Sequence, residues 1–275
     1  MRMLTFSSLR VMLLFPIFIS SLNAQVSIIG ELSQDKDAKP GDIYTGSILI
    51  RNDTPESQEA KVYQTDYMFQ SNGTNNYAEP GTLPRSNAKW IAFSPAFVTI
   101  PPNGTMAVNY TITVPKESDT SKLIGSYWSM MMVEGIQKGS AESSLPPKDT
   151  KAQMGIMQTI RYGIQLVTTI AKTGTKKIQF ASTKIIKQND GKRIVQIDIE
   201  NIGEIAMRPE VYVELFNDQG VSLGKFSGIK YRIYPGTSVR QSIDVSSVAE
   251  GTYKALVVVD AGGDDVFGSQ YTLKF

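Results

Sequence analysis

Apolar and polar residues alternate with period two along most of this chain. In Asp42–Arg51 (DIYTGSILIR), Tyr44, Ile48 and Ile50 fall on one side and Ile43, Ser47 and Leu49 on the other. Thr105–Val114 repeats the pattern, with Met106, Val108, Tyr110, Ile112 and Val114 on one face. Such alternation predicts half-buried strands, because successive side chains of a strand point to opposite faces. Further strands are predicted at Val26–Leu32, Ala60–Phe69, Lys89–Ala92, Ala96–Ile100 and Gly125–Ile136. Asp35–Gly41 (DKDAKPG), Ser71–Asn76 (SNGTNN) and Pro101–Gly104 (PPNG) read as loops and turns. No window predicts a long amphipathic helix.

After a predicted linker at Ala171–Lys177 the plan recurs. Strands are predicted at Ile178–Ile186, Arg193–Glu200, Val211–Phe216, Ser238–Val245, Tyr253–Val259 and Tyr271–Phe275. Asp42–Asn52 and Arg193–Asn201 each run an apolar strand into an asparagine. Pro102–Thr113 and Pro235–Val245 each join a proline–glycine turn to a strand. Gly125-Ser-Tyr127 and Gly251-Thr-Tyr253 each open the next strand. One supersecondary plan used twice predicts an all-β chain of two tandem immunoglobulin-like β-sandwich domains, 25–171 and 172–275.

Met154–Ile170 is the longest strand-like run, and it follows a polar segment, Lys138–Lys151. Fully extended it would span roughly 56 Å at about 3.3 Å per residue, against an ordinary strand of about five or six residues. It is either an interior strand that bends at Gly155 or Gly163, or an edge that accepts a foreign strand. On the second reading its alternate face presents Met154, Ile156, Ile160, Tyr162 and Ile164 to a partner, with Gln158 interrupting. Taken alone, Arg161 reads as a solvated strand residue.

Composition narrows the function. The start of the chain reads as a removable signal peptide over residues 1–24: Arg2 and Arg10, an apolar core Val11–Ile19, and the small-residue exit Ser20–Ala24. The mature chain is therefore expected to be exported and not membrane-spanning. The net charge of +2 vanishes with those arginines, so there is no electrostatic case for nucleic acid. The chain has no histidine and no cysteine. That removes the usual general base, the commonest zinc ligand and the usual triads. A non-enzyme without cofactor or metal is expected. Asp260–Asp265 (DAGGDD) lacks the ligand pattern of a calcium loop and reads as a hairpin turn. Met130–Met132, Trp90 and Trp128 read as packing residues.

Two resemblances sharpen this reading. Strand Asp42–Asn52, then Ser94-Pro95, Val98–Gly104 and Val108–Pro115, resembles the first domain of periplasmic pilus-assembly chaperones. Gln158–Val167 (QTIRYGIQLV) is similar to the long last strand of that domain. The resemblance implies a periplasmic chaperone for fimbrium biogenesis that lends a strand to exported subunits and meets an outer-membrane assembly protein. It also implies a lysine and an arginine that hold the partner's terminal carboxylate in the cleft between domains. Arg161 matches the basic position on the last strand. Val26–Leu32 carries Glu31 and no arginine, with Lys36 and Lys39 as the cations that follow. Trp90-Ile91, Pro95, Pro115 and Gly125-Ser-Tyr127 are also similar to the wall-binding domains of WxL-interacting surface proteins. That similarity implies instead a cell-envelope module binding peptidoglycan or another wall glycan through aromatic platforms.

Overall fold

The computed structural model describes residues 26–118, 122–145 and 159–275. The chain is all-β, built as two tandem immunoglobulin-like sandwiches. In the first, β1 (Ser27–Ile29), β3 (Ile43–Arg51), β8 (Thr105–Thr113) and β6 (Ile91–Ser94) form one sheet in that order. The facing sheet runs β2 (Ser33–Ala38), β10 (Arg161–Ile170), β9 (Gly125–Ile136), β4 (Gln58–Phe69) and β5 (Asn75–Ala78), and β7 (Phe97–Ile100) also pairs with β4. The second sandwich packs β11 (Ile178–Lys187), β12 (Arg193–Asn201) and β15 (Ser238–Asp244) against a second sheet. That sheet is β14 (Ser222–Ser227), β13 (Glu210–Phe216), β16 (Thr252–Asp260) and β17 (Val266–Lys274). Among the described residues no helix is long and apolar enough to cross a membrane.

The alternation read from the sequence places the cores. Ile48, Ile50, Val108, Tyr110 and Ile112 face Val62, Met131, Val133, Ile164 and Leu166 across the first sandwich. Val195, Ile197 and Ile199 face Val211, Val213, Leu215 and Val257 in the second. The repeated strand-to-asparagine signature has a shared cause. Asn52 and Asn201 are both fully buried. Asn52 Nδ2 donates to the carbonyls of Glu56, Ile100 and Pro101, and its Oδ1 accepts from Thr54 N–H. Asn201 does the same with the carbonyls of Ile205 and Ile233 and with Gly203 N–H. In each sandwich one amide ties the end of a central strand to two loops, satisfying backbone groups that burial would otherwise leave unpaired.

Three expectations are corrected. Asp35–Gly41 is not all loop, because β2 runs through Ala38 and pairs in parallel with β10. Its polar sequence hid it: an exposed edge strand needs no apolar alternation. Lys89–Ala92 is not a single strand, because a 3-10 turn over Ala88–Trp90 precedes β6. Of the described part of the long run, pairing begins at Arg161. Thr159 and Ile160 are outside the strand, while Met154 and Ile156 lie outside the described residues.

Gly30, at φ 102°, divides the first strand. Ahead of it β1 pairs antiparallel with β3; beyond Leu32 the chain has crossed to the other sheet and pairs with β10. This crossing determines which edges of the first sandwich are covered.

Candidate functional site

β10 is paired along its whole length with β9, from Arg161↔Glu134 to Ile170↔Gly125. Its other flank is covered by β2 only from Gln165↔Ser33 to Ile170↔Ala38. Gln165 N–H donates to Leu32 C=O at 2.9 Å and Ala171 N–H to Ala38 C=O at 2.9 Å, so odd-numbered residues face that flank. By period two, the N–H and C=O groups of Arg161 and Gly163 point out of the same side. Among the described residues no strand pairs with them. Among the described residues, β2 covers that flank over Gln165–Ile170 and stops short of Arg161–Ile164.

The candidate side chains divide accordingly. Ile164 is fully buried in the chain's own core, with Tyr162 packed partly against the same cluster. Ile164 is therefore a wall of the site and not a side chain offered outward. Ile160, at the open end, is 36% exposed. Gly163 lies opposite Met132 on the outer face, and a Cβ there would come within 2.0 Å of Met130 Cε. The absent side chain lets Met130 fold across the strand, and all three methionines of Met130–Met132 are buried.

Arg161 lies where the cleft is not. β10 meets the second domain at its Ile170 end, and Arg161 begins the strand roughly 30 Å away at about 3.3 Å per residue. Its Nε is 2.8 Å from Glu134 Oε2, and its Nη2 donates to Glu134 Oε1 at 3.2 Å. Glu134 also accepts from Tyr63 Oη at 3.1 Å and has Lys61 Nζ at 3.7 Å. The hydrogen bonds to Glu134 raise the Arg161 guanidinium above its ordinary value; burial, then the bond to Glu134, raises the Tyr63 phenol. A clamp for a partner's terminal carboxylate in the interdomain cleft does not fit this placement. The order of the chain held the signal, since the predicted linker begins directly after Ile170.

The contacts that join these strands to the second domain were not read from the sequence, although Trp128 was read as a packing residue. Tyr234 is buried, stacks on Trp128 with ring centroids 4.5 Å apart, and donates from Oη to Gln165 Oε1 at 2.5 Å. Val167 completes that cluster. Arg232 holds Asp35 of β2 through two bonds of 2.7 and 2.6 Å. Ser126 N–H donates to Glu204 C=O at 2.8 Å, and Ala206 N–H to Ser126 Oγ at 2.9 Å. The second domain therefore braces both β10 and the strand that covers half of its edge. Trp90 is half-buried against Tyr127 at 4.8 Å and Trp128 is engaged by Tyr234, so both tryptophans pack internally.

No protein-family model and no curated protein matches the chain. Solved structures do match it, among them fimbrial chaperones and their complexes. A structure of the chaperone–tip adhesin complex of CFA/I fimbriae biogenesis has 14% identity over 90% of this chain and 98% of that one, at a TM-score of 0.46. The class 5 fimbriae chaperone CfaA has 12% identity over 89% and 98%, at a TM-score of 0.46. The complex of Salmonella enterica SafA pilin with the SafB chaperone gives 11% identity over 92% and 99%, at a TM-score of 0.42.

Proposed function

We propose that this chain is an exported, periplasmic, chaperone-like binding protein that holds other envelope β-proteins by strand addition. The observation that carries this reading is the half-covered edge of β10. Among the described residues, Arg161 and Gly163 present backbone groups that no strand pairs, directly beside a strand segment that is paired on both flanks. A partner strand seated there gains main-chain hydrogen bonds, and its inward side chains meet Tyr162 and the Ile164 end of the core. Residues 25–171 supply the edge, and 172–275 act as the brace that fixes its direction. The partners that fit are exported β-sandwich subunits lacking a strand of their own. Met154, Ile156 and Ile160 would extend the donated face beyond the paired segment.

The buried carboxylates support a binding role over a catalytic one. Asp66 accepts from the N–H groups of Gly81, Thr82 and Leu83 and from Ser86 Oγ. Glu59 accepts from Ser143 and Ser144, and Asp198 from Arg240. Each is met by donors of a neighbouring loop or strand.

The test is a holding assay. A pilin subunit expressed without its last strand is refolded with an equimolar amount of this chain, and soluble complex is measured by size-exclusion chromatography. Gly163→Pro removes the N–H of one open-edge residue and is expected to abolish the complex, as is Ile160→Asp together with Tyr162→Asp. If the Gly163→Pro chain folds and still keeps the subunit soluble, the strand-addition reading fails.

A further inference from the structure

The crossing at Gly30–Leu32 opens a second half-edge, diagonal to the first. β1 pairs with β3 only over Leu49–Arg51, where Ser27, Ile28 and Ile29 are its partners. Over Ile43–Ser47 the position beside β3 is vacant among the described residues, because the chain has moved into the other sheet as β2. Even-numbered residues of β3 face β8, as shown by Val114 N–H donating to Asp42 C=O at 2.9 Å. The N–H and C=O groups of Ile43, Thr45 and Ser47 therefore point into the vacancy. Of these, Ser47 C=O is already met by Gln34 Nε2 at 3.3 Å, a side-chain amide standing where a strand's N–H would stand.

The vacancy is a groove of about 210 Å³, floored by Tyr44, Gly46, Tyr110 and Leu166 and fronted by Gln34 and Lys36 of β2. Its orientation follows from β2. Gln34 bonds Tyr110 inside the sandwich and Ala38 is buried in the core, so Lys36, between them, turns to the same side. Asp35 turns the other way, to Arg232. Lys36 is thus the one charged lining residue whose side chain is uncommitted among the described residues. At the end of the edge Ile43 is 68% exposed.

We infer that the Ile43–Ser47 half-edge of β3 is a second strand-acceptor site, distinct from β10, for an extended peptide carrying an acidic side chain opposite Lys36. The backbone of such a segment pairs with Ile43 and Thr45 and displaces the Gln34 amide from Ser47. Its inward side chains stack over Tyr44 and Tyr110. An acidic residue is selected because Lys36 lines the groove with no counter-ion among the described residues, and a charge-assisted bond there is stronger than a neutral one.

Three blocked synthetic peptides test this against the intact, isotope-labelled chain by NMR titration: an alternating Thr-Val strand with a central Glu, the same strand with a central Lys, and a proline-broken version. The Glu peptide is expected to shift the amides of Ile43, Thr45, Ser47 and Lys36, and to slow exchange at Ile43 and Thr45. Lys36→Glu, at an exposed position, is expected to weaken it about tenfold and to favour the Lys peptide. Gly163→Pro is expected to leave both results unchanged, which separates this site from the β10 edge. Equal binding of the Glu and Lys peptides overturns the charge selection. Shifts confined to Arg161–Ile164, or none, overturn the site.

Discussion

Tyr234→Ala is expected to cost more stability than any other single truncation at the junction between the domains. Tyr234 is wholly buried, lies 12° from parallel with the Trp128 ring and meets the Phe69 edge at 6.2 Å. A buried aromatic ring removes about 150–250 Å² from water, which at about 25 cal/mol per Å² is about 4–6 kcal/mol. Measured aromatic truncations cluster at about 3–5 kcal/mol because the site partly collapses. Tyr234→Phe keeps the ring and removes only the donor to Gln165 Oε1, so it is expected to cost about 1–2 kcal/mol for the stranded acceptor. Urea denaturation followed by tryptophan fluorescence reads both, since Trp128 is the stacking partner. The midpoint falls in the order wild type, Tyr234→Phe, Tyr234→Ala, at constant slope. A Tyr234→Ala loss below about 1 kcal/mol, or equal losses for the two variants, refutes the reasoning that this ring joins the domains.

Other outcomes follow from the same contacts. Gly125, at φ 70°, would place a Cβ 2.1 Å from Glu204 C=O, a backbone atom of the second domain that has little room to yield. Gly125→Ala is expected to cost about 1–3 kcal/mol, and small-angle scattering is expected to show a changed angle between the domains; an unaltered melting temperature contradicts this. At Gly46 a Cβ would meet the Tyr110 hydroxyl at 2.2 Å, so Gly46→Ala is expected to expel Tyr110 from Gln34 and expose its phenol to iodination. Burial pushes the phenols of Tyr234, Tyr110 and Tyr44 above their ordinary value. A phenol raised by folding contributes stability that is whole below the unfolded value of about 10 and is lost as pH rises beyond it. The hydrogen bond from Arg240 holds the Asp198 carboxyl below its ordinary value, so its contribution is present above about pH 4 and is lost as pH falls further. With no histidine in the chain, chemical denaturation midpoints are expected to be flat over about pH 6–8; a sharp transition in that range contradicts the assignment.

Much of the fold was legible because buried faces impose a period. The Gly125–Ile136 strand was bounded correctly, since a central strand covered on both faces reads as a continuous apolar run. The paired asparagines were legible as a repeat before their bonding explained it. β2 was not legible: Ser33–Ala38 is polar and half exposed, and it is a strand only because β10 offers it a flank. Thr159 and Ile160 were read into the strand that begins at Arg161, because alternation continues through residues whose pairing a sequence does not reveal. The flank of β10 that β2 leaves uncovered is a consequence of where the chain changes sheets, marked locally by Gly30. Arg161 was misplaced for another reason: a matched basic residue carries no information about which end of its strand faces the second domain. Tyr234 and Arg232 were invisible as interface residues, since their partners lie far away in the chain.

Amide hydrogen exchange along β10 in the isolated protein tests the central claim most directly. The amides of Tyr162, Ile164 and Gln165 are predicted to exchange slowly and those of Arg161 and Gly163 rapidly, with Arg161 and Gly163 becoming protected when a strand-deficient subunit binds. Slow exchange at Gly163 in the isolated protein would mean that this flank is already occupied, and would contradict the account.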